Sequence, residues 1–280
     1  MYKILKKEAL NPTVTRMVIE APFVAKRAKA GQFIILRVRE QGERLPLTIA
    51  DSNPEKGTVT IIFQVVGETT MLLNALNEGD CLEDFAGPLG KPSVIDGNKK
   101  VCIIGGGVGC AIAYPTAKAF HEAGADVTTI VGFRNKDLVI LEEEFKKVSD
   151  AYYLMSDDGS VGEKGLVTNK LEDLITDGEK FDEVVAIGPI VMMKFVSLTT
   201  KKYNIPTTVS MNPVMIDGTG MCGGCRLKVG DEIKFACVDG PDFDGHLVDF
   251  DQAMARNTAY KSFEAHKRDE ACHLLNKEVE

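Results

Sequence analysis

The 280-residue sequence predicts an antiparallel β-barrel, then an α/β domain built on a parallel sheet, then a small C-terminal domain carrying cysteines. Three observations predict it. Short strands separated by turns fill residues 1–96, strands alternate with helices over 97–206, and a glycine-rich loop with three cysteines lies within 207–250, leaving 251–280 as a helical tail.

The barrel strands are expected at Tyr2 to Glu8, Thr13 to Glu20, Gln32 to Val38, Leu45 to Ala50 and Thr58 to Val66. One helix interrupts them, Thr69-Thr-Met-Leu-Leu-Asn-Ala-Leu-Asn77, opened by two hydroxyl residues suited to capping and closed before Gly79. Gly87-Pro-Leu-Gly-Lys-Pro92 punctuates the chain, and the pattern changes after it. The strand Lys100 to Ile104 runs into Gly105-Gly-Gly-Val-Gly109 and a helix reaching Ala123. Strands at Asp126 to Val131, Ala151 to Met155 and Val184 to Ile187, with helices at Leu141 to Val148 and Leu166 to Thr176, continue a parallel sheet. Leu227 to Val229 and Glu232 to Ala236 form a hairpin around Gly230. The mixed-charge tail has apolar residues at 254, 260, 263, 271, 274 and 275, which pack back on its own domain or dock a partner chain.

A net charge of -8 argues against a nucleic-acid partner, because such binding is driven by basic surface. No apolar run reaches membrane-spanning length, and the N-terminus begins with strand-like alternation instead of the apolar core of a signal peptide. Seven cysteines, an odd number and partly gathered in one motif, fit a reducing cytoplasm. Cys102 and Cys110 flank the glycine turn as small buried hydrophobes. The four histidines form no ligand cluster by spacing, and no Ser-His-Asp set or pair of catalytic carboxylates supports hydrolysis.

The motif richest in chemistry is Asp217-Gly-Thr-Gly-Met-Cys222-Gly-Gly-Cys225, with Cys237 beyond it. A plant-type 2Fe-2S site follows C-x4-C-x2-C with a distant fourth cysteine; here Asp217 holds the first position. Zinc is the competitor, since three thiols and a carboxylate also suit a closed tetrahedral site. Glycine density and the lack of a second CxxC favour the cluster.

Gly105 to Gly109, with Gly106, Gly107 and Val108 between, follows a buried strand and opens a helix, the context of pyrophosphate binding. It departs from the dinucleotide fingerprint at Cys110, so a ligand-free tight turn is the alternative. Arg44-Leu-Pro46-Leu47-Thr48 offers a cation and a hydroxyl at the barrel edge, able to hold a phosphate and a flavin ring, although alone it is an ordinary strand with a surface arginine. Gly67-Glu-Thr69-Thr70 adds helix N-terminal amides for the same anion. Arg134 follows the second sheet strand. Asp157 and Asp158 end the third, where a carboxylate favours free ribose hydroxyls, or forms an Asx turn.

Taken in order, these motifs, together with Ile187-Gly188-Pro189 and Met192-Met193, resemble the ferredoxin reductase superfamily over essentially the whole chain. The closest likeness is to electron-transfer subunits with a C-terminal 2Fe-2S domain, such as the small NADH-binding subunit of NADH-dependent ferredoxin:NADP oxidoreductase, also known as the sulfide dehydrogenase small subunit, and the electron-transfer subunit of dihydroorotate dehydrogenase. Asp217 with Pro46-Leu-Thr-Ile-Ala-Asp51 and Phe235-Ala-Cys-Val-Asp-Gly-Pro241 resembles the former, because the latter carries four cysteines. Ile187 departs from the cysteine that many reductases place before Gly-Pro. The resemblance implies a ferredoxin-reductase-like fold, FAD in the barrel, NAD(H) on the α/β domain with Gly188 and Pro189 nearby, and a 2Fe-2S cluster on Asp217, Cys222, Cys225 and Cys237. It further implies a large partner subunit carrying FAD, 4Fe-4S clusters and an NADPH site, with ferredoxin reached through the complex. The dihydroorotate enzyme's subunit, or another flavin relay, is the second enzyme expectation, and a zinc-containing nucleotide-sensing interaction module is the non-enzyme one.

Overall fold

The computed structural model describes residues 2–259, 262–266 and 268. The first unit contains β1 (Tyr2–Asn11), β2 (Val14–Glu20), α1 (Pro22–Ala25), β3 (Phe33–Arg37), β4 (Leu45–Asn53), β5 (Thr58–Gln64), α2 (Glu68–Ala75), β6 (Cys81–Leu82) and β7 (Asp84–Leu89). Their order in the sheet is β6-β1-β2-β5-β4-β3-β7. One short run of chain, β6 and β7, supplies both edges, so the sheet curls into a near-closed barrel. Alternation drives this: Met17 and Ile19 on β2, and Val59, Ile61 and Phe63 on β5, are buried and meet Ile4, Ile34, Leu36 and Phe85 in the interior. β7 was not expected from sequence because Gly87-Pro88 lies within it, and a proline is tolerated there only because β7 is an edge strand.

The rest of the chain forms β8 (Lys100–Gly106), α3 (Cys110–Glu122), β9 (Asp126–Phe133), α4 (Glu142–Lys147), β10 (Ala151–Ser156), β11 (Glu163–Lys164), α5 (Val167–Thr176), β12 (Glu183–Ile187), α6 (Ile190–Lys202) and β13 (Thr207–Ser210). These are followed by β14 (Arg226–Val229), β15 (Glu232–Phe235), α7 (Ala236–Asp239), β16 (Asp242–Asp244) and α8 (Phe250–Asn257). The second sheet runs β11-β10-β9-β8-β12-β13-β16, parallel except for the antiparallel pairing of β13 with β16. It therefore continues past residue 206, where sequence patterning places the boundary, and takes in strands on either side of the cysteine loop. The chain builds outward from β8 through β9 and β10, then returns to lay β12 and β13 on the other side. The switch point falls between β8 and β12, where such sheets bind ligands at their carboxyl ends.

β8 is buried on both faces, as a central parallel strand must be. Val101 and Ile103 pack with Phe120 and Phe145, while Cys102 and Ile104 face a second core shared with Val196, the barrel residues Phe33 and Ile35, and Cys225 and Cys237. Cys102 and Cys110 are buried, and burial pushes both thiols far above their ordinary range. Of the tail, α8 packs against α6 and the cysteine region, where Lys194 Nζ meets Asp251 Oδ1 at 2.6 Å and Arg256 Nη2 donates to the Gly224 carbonyl at 3.1 Å. Phe263 is exposed, and positions 260, 271, 274 and 275 lie outside the described residues. Among the described residues no helix is long and apolar enough to cross a membrane.

Candidate cofactor cleft and cluster loop

A cleft of about 1200 Å³ separates the barrel from the parallel sheet. That exceeds the roughly 300–1,000 Å³ of an ordinary ligand pocket and leaves room for two nucleotides. Its barrel wall is Phe33, Pro46, Leu47, Thr48 and Thr70. The opposite wall comes from the strand ends at the switch point: Gly106, Gly107, Val108 and Gly109 after β8, Arg134 after β9, Asp157 after β10, and Gly188 and Pro189 after β12. Asn212, Pro213 and Met215, which lead into the cysteine loop, complete it.

The glycine turn has a distinct requirement at each position. Gly107 has φ +55 and open space where a Cβ would stand, so its backbone can approach a ligand. A Cβ on Gly109 would lie 2.6 Å from the Gly188 Cα, so this glycine lets the two strand ends touch. That is the close-packing task of the fingerprint's last glycine, which explains why Cys110 is tolerated one place later. Gly105 does not line the cleft; it stays within β8, where a Cβ would meet Cys110 Sγ at 2.8 Å. α3 runs on from a 3-10 turn over Gly107–Gly109, which bonds the Cys110 amide internally and has no side-chain cap at Gly106, so the amides of the turn itself are the ones left for an anion. The paired aspartates divide their roles: Asp157 lines the cleft, whereas Asp158 Oδ1 accepts the Ser160 amide at 2.9 Å in an Asx turn, and the Ser160 hydroxyl and amide hold its carboxyl below the usual range.

On the barrel, Gly67 gives α2 no side-chain cap, so the first-turn amides lack a side-chain acceptor. Thr70 Oγ1 accepts the amides of Val66 and Gly67 at 2.9 Å, fixing the turn. Thr69 Oγ1 donates to Glu43 Oε2 at 2.6 Å and is turned to that carboxylate instead of the cleft. Arg44 also lies off the cleft wall; its Nη2 donates to the Asp217 carbonyl at 3.3 Å. A barrel cation thus reaches the cysteine loop, a contact across 173 positions that no local pattern signals.

The cysteine loop sits on the barrel. Gly218, φ +75, faces Ile35 and Leu89 so closely that a Cβ would lie 2.5 and 2.9 Å from their Cδ1 atoms. Cys225 Sγ and Cys237 Sγ are buried and 3.2 Å apart, and burial beside Cys225 pushes the Cys237 thiol up to about 12. Backbone amides already donate to sulfur: Cys237 N to Cys225 Sγ and Gly224 N to Cys222 Sγ, both at 3.4 Å. The Asp217 carboxylate accepts the amides of Thr219 at 2.9 Å and Cys222 at 2.7 Å, and these bonds hold it below the usual carboxylate range. The loop therefore directs amides toward both thiols and an anion, the donor set an iron-sulfur cluster takes. Among the described residues no three of these side chains are already gathered into a metal cage.

Residues 212–249 match the model of the iron-sulfur cluster binding domain of dihydroorotate dehydrogenase B. The whole chain is 47% identical over 264 residues to the dihydroorotate dehydrogenase B (NAD(+)) electron transfer subunit homolog of Thermotoga maritima, covering 94% of this chain and 93% of that one. It belongs to the dihydroorotate dehydrogenase B electron-transfer-subunit family. Identity to the family's subunit in Streptococcus pneumoniae R6 is 33% over 249 residues, 86% of this chain and 94% of the relative. Among solved structures, this family member matches a chain of the NADH-dependent reduced ferredoxin-NADP oxidoreductase, a structure described for flavin-based electron bifurcation, with a TM-score of 0.91 and 45% identity over 96% of this chain and 97% of the other. The family fold is thus ferredoxin-reductase-like, with the barrel, parallel sheet and iron-sulfur region in the predicted order.

Proposed function

We propose that the chain is the electron-transfer subunit of an electron-bifurcating NADH-dependent ferredoxin:NADP oxidoreductase. In this role it exchanges hydride between NAD(H) and FAD and relays single electrons through a 2Fe-2S cluster to a large subunit. The observation that carries the reading is one continuous cleft bounded by the barrel, the switch-point glycine turn and the segment entering the cysteine loop. The whole-chain likeness to the oxidoreductase structure supports it. A flavin supplies the conversion between a two-electron hydride donor and a one-electron acceptor.

The chain's own groups bind, orient and insulate. The turn Gly107 to Gly109 at the head of α3 receives a pyrophosphate, Arg134 adds a cation, and Asp157 favours a free ribose over a 2'-phosphate. Pro46, Leu47, Thr48 and Phe33 present a largely apolar wall to a flavin, with Thr70 and the α2 amides, together with Gly67, Thr69 and Arg44 at the margin, for its phosphates. Asp217, Cys222, Cys225 and Cys237 hold the cluster. The large subunit carries FAD, 4Fe-4S clusters and the NADPH site, ferredoxin reacts through the complex, and the setting is cytoplasmic.

The test is an anaerobic visible spectrum with flavin and iron analysis, before and after NADH, followed by assay with the co-expressed large subunit. Flavin and 2Fe-2S bands that bleach with NADH, and NADPH oxidation requiring both ferredoxin and NAD+, are expected. The names of the relatives favour one second reading, the dihydroorotate dehydrogenase subunit; dihydroorotate-driven NAD+ reduction would select it. Zinc without flavin or bleaching would overturn both.

A further inference from the structure

Behind the cleft floor lies a carboxyl group with no evident reason to be a carboxyl. Asp242 on β16 has Oδ1 buried without a hydrogen-bond partner, and its Oδ2 accepts from Ser93 Oγ at 2.5 Å. Across the sheet it is the register partner of Ser210. Among the described residues it has no ion pair, and burial pushes its carboxyl above the ordinary range against the pull of Ser93. Burying such a group is unfavourable unless it is well paired.

The three groups come from three parts of the molecule. Ser93 lies just beyond the barrel's last strand, and its amide donates to the Ala30 carbonyl at 2.9 Å. Ser210 ends β13 and lines the cleft beside Met211. Asp242 itself is five residues past Cys237, on the segment returning from the cysteine loop. Backbone bonds surround the junction: Lys91 N to the Gly240 carbonyl at 2.7 Å and Met211 N to the Pro241 carbonyl at 2.9 Å. Gly90, at φ +75, lets Phe33 and Pro241 close on one point of the cleft wall, since a Cβ there would lie 2.8 Å from Phe33 Cε1 and 3.1 Å from Pro241 Cδ.

We infer that Asp242 is a positioning residue for the flavin-to-cluster step, pinning the Cys237-bearing segment to the barrel side through its bond to Ser93 and to the parallel sheet through the pairing of β16 with β13. This rests on the relay proposed above. One residue, hydrogen-bonded to Ser93 on the barrel side and paired in register with Ser210 on the sheet side, fixes where the cluster loop stands relative to the cleft, while the nucleotide-binding turn on the far wall is untouched. Loosening it displaces the cluster side without disturbing hydride exchange.

The experiment compares Asp242→Leu, Asp242→Asn and Ser93→Ala in the purified, cofactor-loaded chain by anaerobic stopped-flow with NADH, reading flavin bleaching and cluster bleaching separately. In Asp242→Leu, flavin bleaching and the KM for NADH are expected unchanged, and cluster bleaching slowed by about tenfold to a hundredfold, the scale of a misplacement of about 1 Å. Asp242→Asn, which keeps an acceptor for Ser93 Oγ, restores the rate, and Ser93→Ala gives an intermediate loss. Amide hydrogen exchange at Lys91 and Met211 is expected to quicken in Asp242→Leu and not in Asp242→Asn. Equal slowing of both steps, an unchanged cluster rate, or Asp242→Asn as slow as Asp242→Leu would overturn the inference. Should Asp242→Leu lose flavin or iron, Ser93→Ala carries the same comparison. A wild-type chain whose flavin does not bleach with NADH would sink the relay itself, a separate outcome.

Discussion

Asp217 is the residue at which the chemistry of the loop departs from a four-thiolate frame. In the structure its carboxylate takes two loop amides, an anion already seated where amides converge. As the proposed ligand its oxygen is harder than thiolate and would shift the potential of a cluster bound there. Asp217→Ala is expected to lose most of its iron, and Asp217→Cys to keep a cluster with an altered EPR spectrum and midpoint potential; unchanged iron and spectrum in Asp217→Ala would refute the assignment. Asp242 makes a second prediction at this scale. Its folded pKa is raised, so above the unfolded value of about 3.9 the unfolded chain releases a proton that the folded chain retains, and stability falls as pH rises through that window. Asp242→Asn removes this dependence. Its melting temperature is expected to exceed the wild type's at pH 7 and to converge with it near pH 4, measured by calorimetry of the two proteins across that range. Glu183 nearby is satisfied by Lys99 and Thr208 and stays common to both.

At the scale of elements, the parts visible in sequence are those whose pattern is local. β8 announces itself because Val101 through Ile104 are apolar without interruption, and the glycine turn follows at once. α6 was invisible because its buried face includes Ser197, Thr199 and Thr200, which read as polar although they pack inside, and its opening follows Gly188-Pro189. β13 and β16, at four and three residues, are too short to carry a period and owe their existence to the sheet edge they complete. Glycines whose φ is positive can be tested directly. Gly107→Ala forces a side chain into a left-handed conformation costing about 1–2 kcal/mol, so the KM for NADH is expected to rise by roughly tenfold with flavin and iron content unchanged. Gly218→Val meets the barrel instead, where overpacking costs about 1–3 kcal/mol; iron content is expected to fall while flavin is retained. The reverse pattern in either variant would mean that the two glycines have been assigned to the wrong cofactors.

Across the whole molecule, barrel, sheet and cysteine region were legible in order, but their junctions were not, because the contacts that join them span long stretches of chain. Arg44 reaching Asp217, Ser93 reaching Asp242 and Arg256 reaching Gly224 each link parts that no sequence window contains. These links leave the cysteine loop held from beneath by the barrel and open on its outer side. Met221, between Asp217 and Cys222, is 89% exposed, and Ile216 and Val238, which approach Gly224 and Gly220, are exposed as well. Apolar side chains left in water around a redox centre fit the core of an interface better than a free surface. On the proposed electron-transfer role, this face is where the large subunit is expected to dock. Met221→Asp puts a charge at the centre of that face without touching either wall of the cleft. The variant is expected to bleach with NADH like the wild type while binding the large subunit at least about tenfold more weakly, the loss of a residue worth more than ~1 kcal/mol at an interface. Titration of the loaded subunits by calorimetry, run beside the NADH spectrum, decides it: unaltered affinity would move the large subunit to another face, and lost bleaching would mean that the loop, not the interface, had been broken.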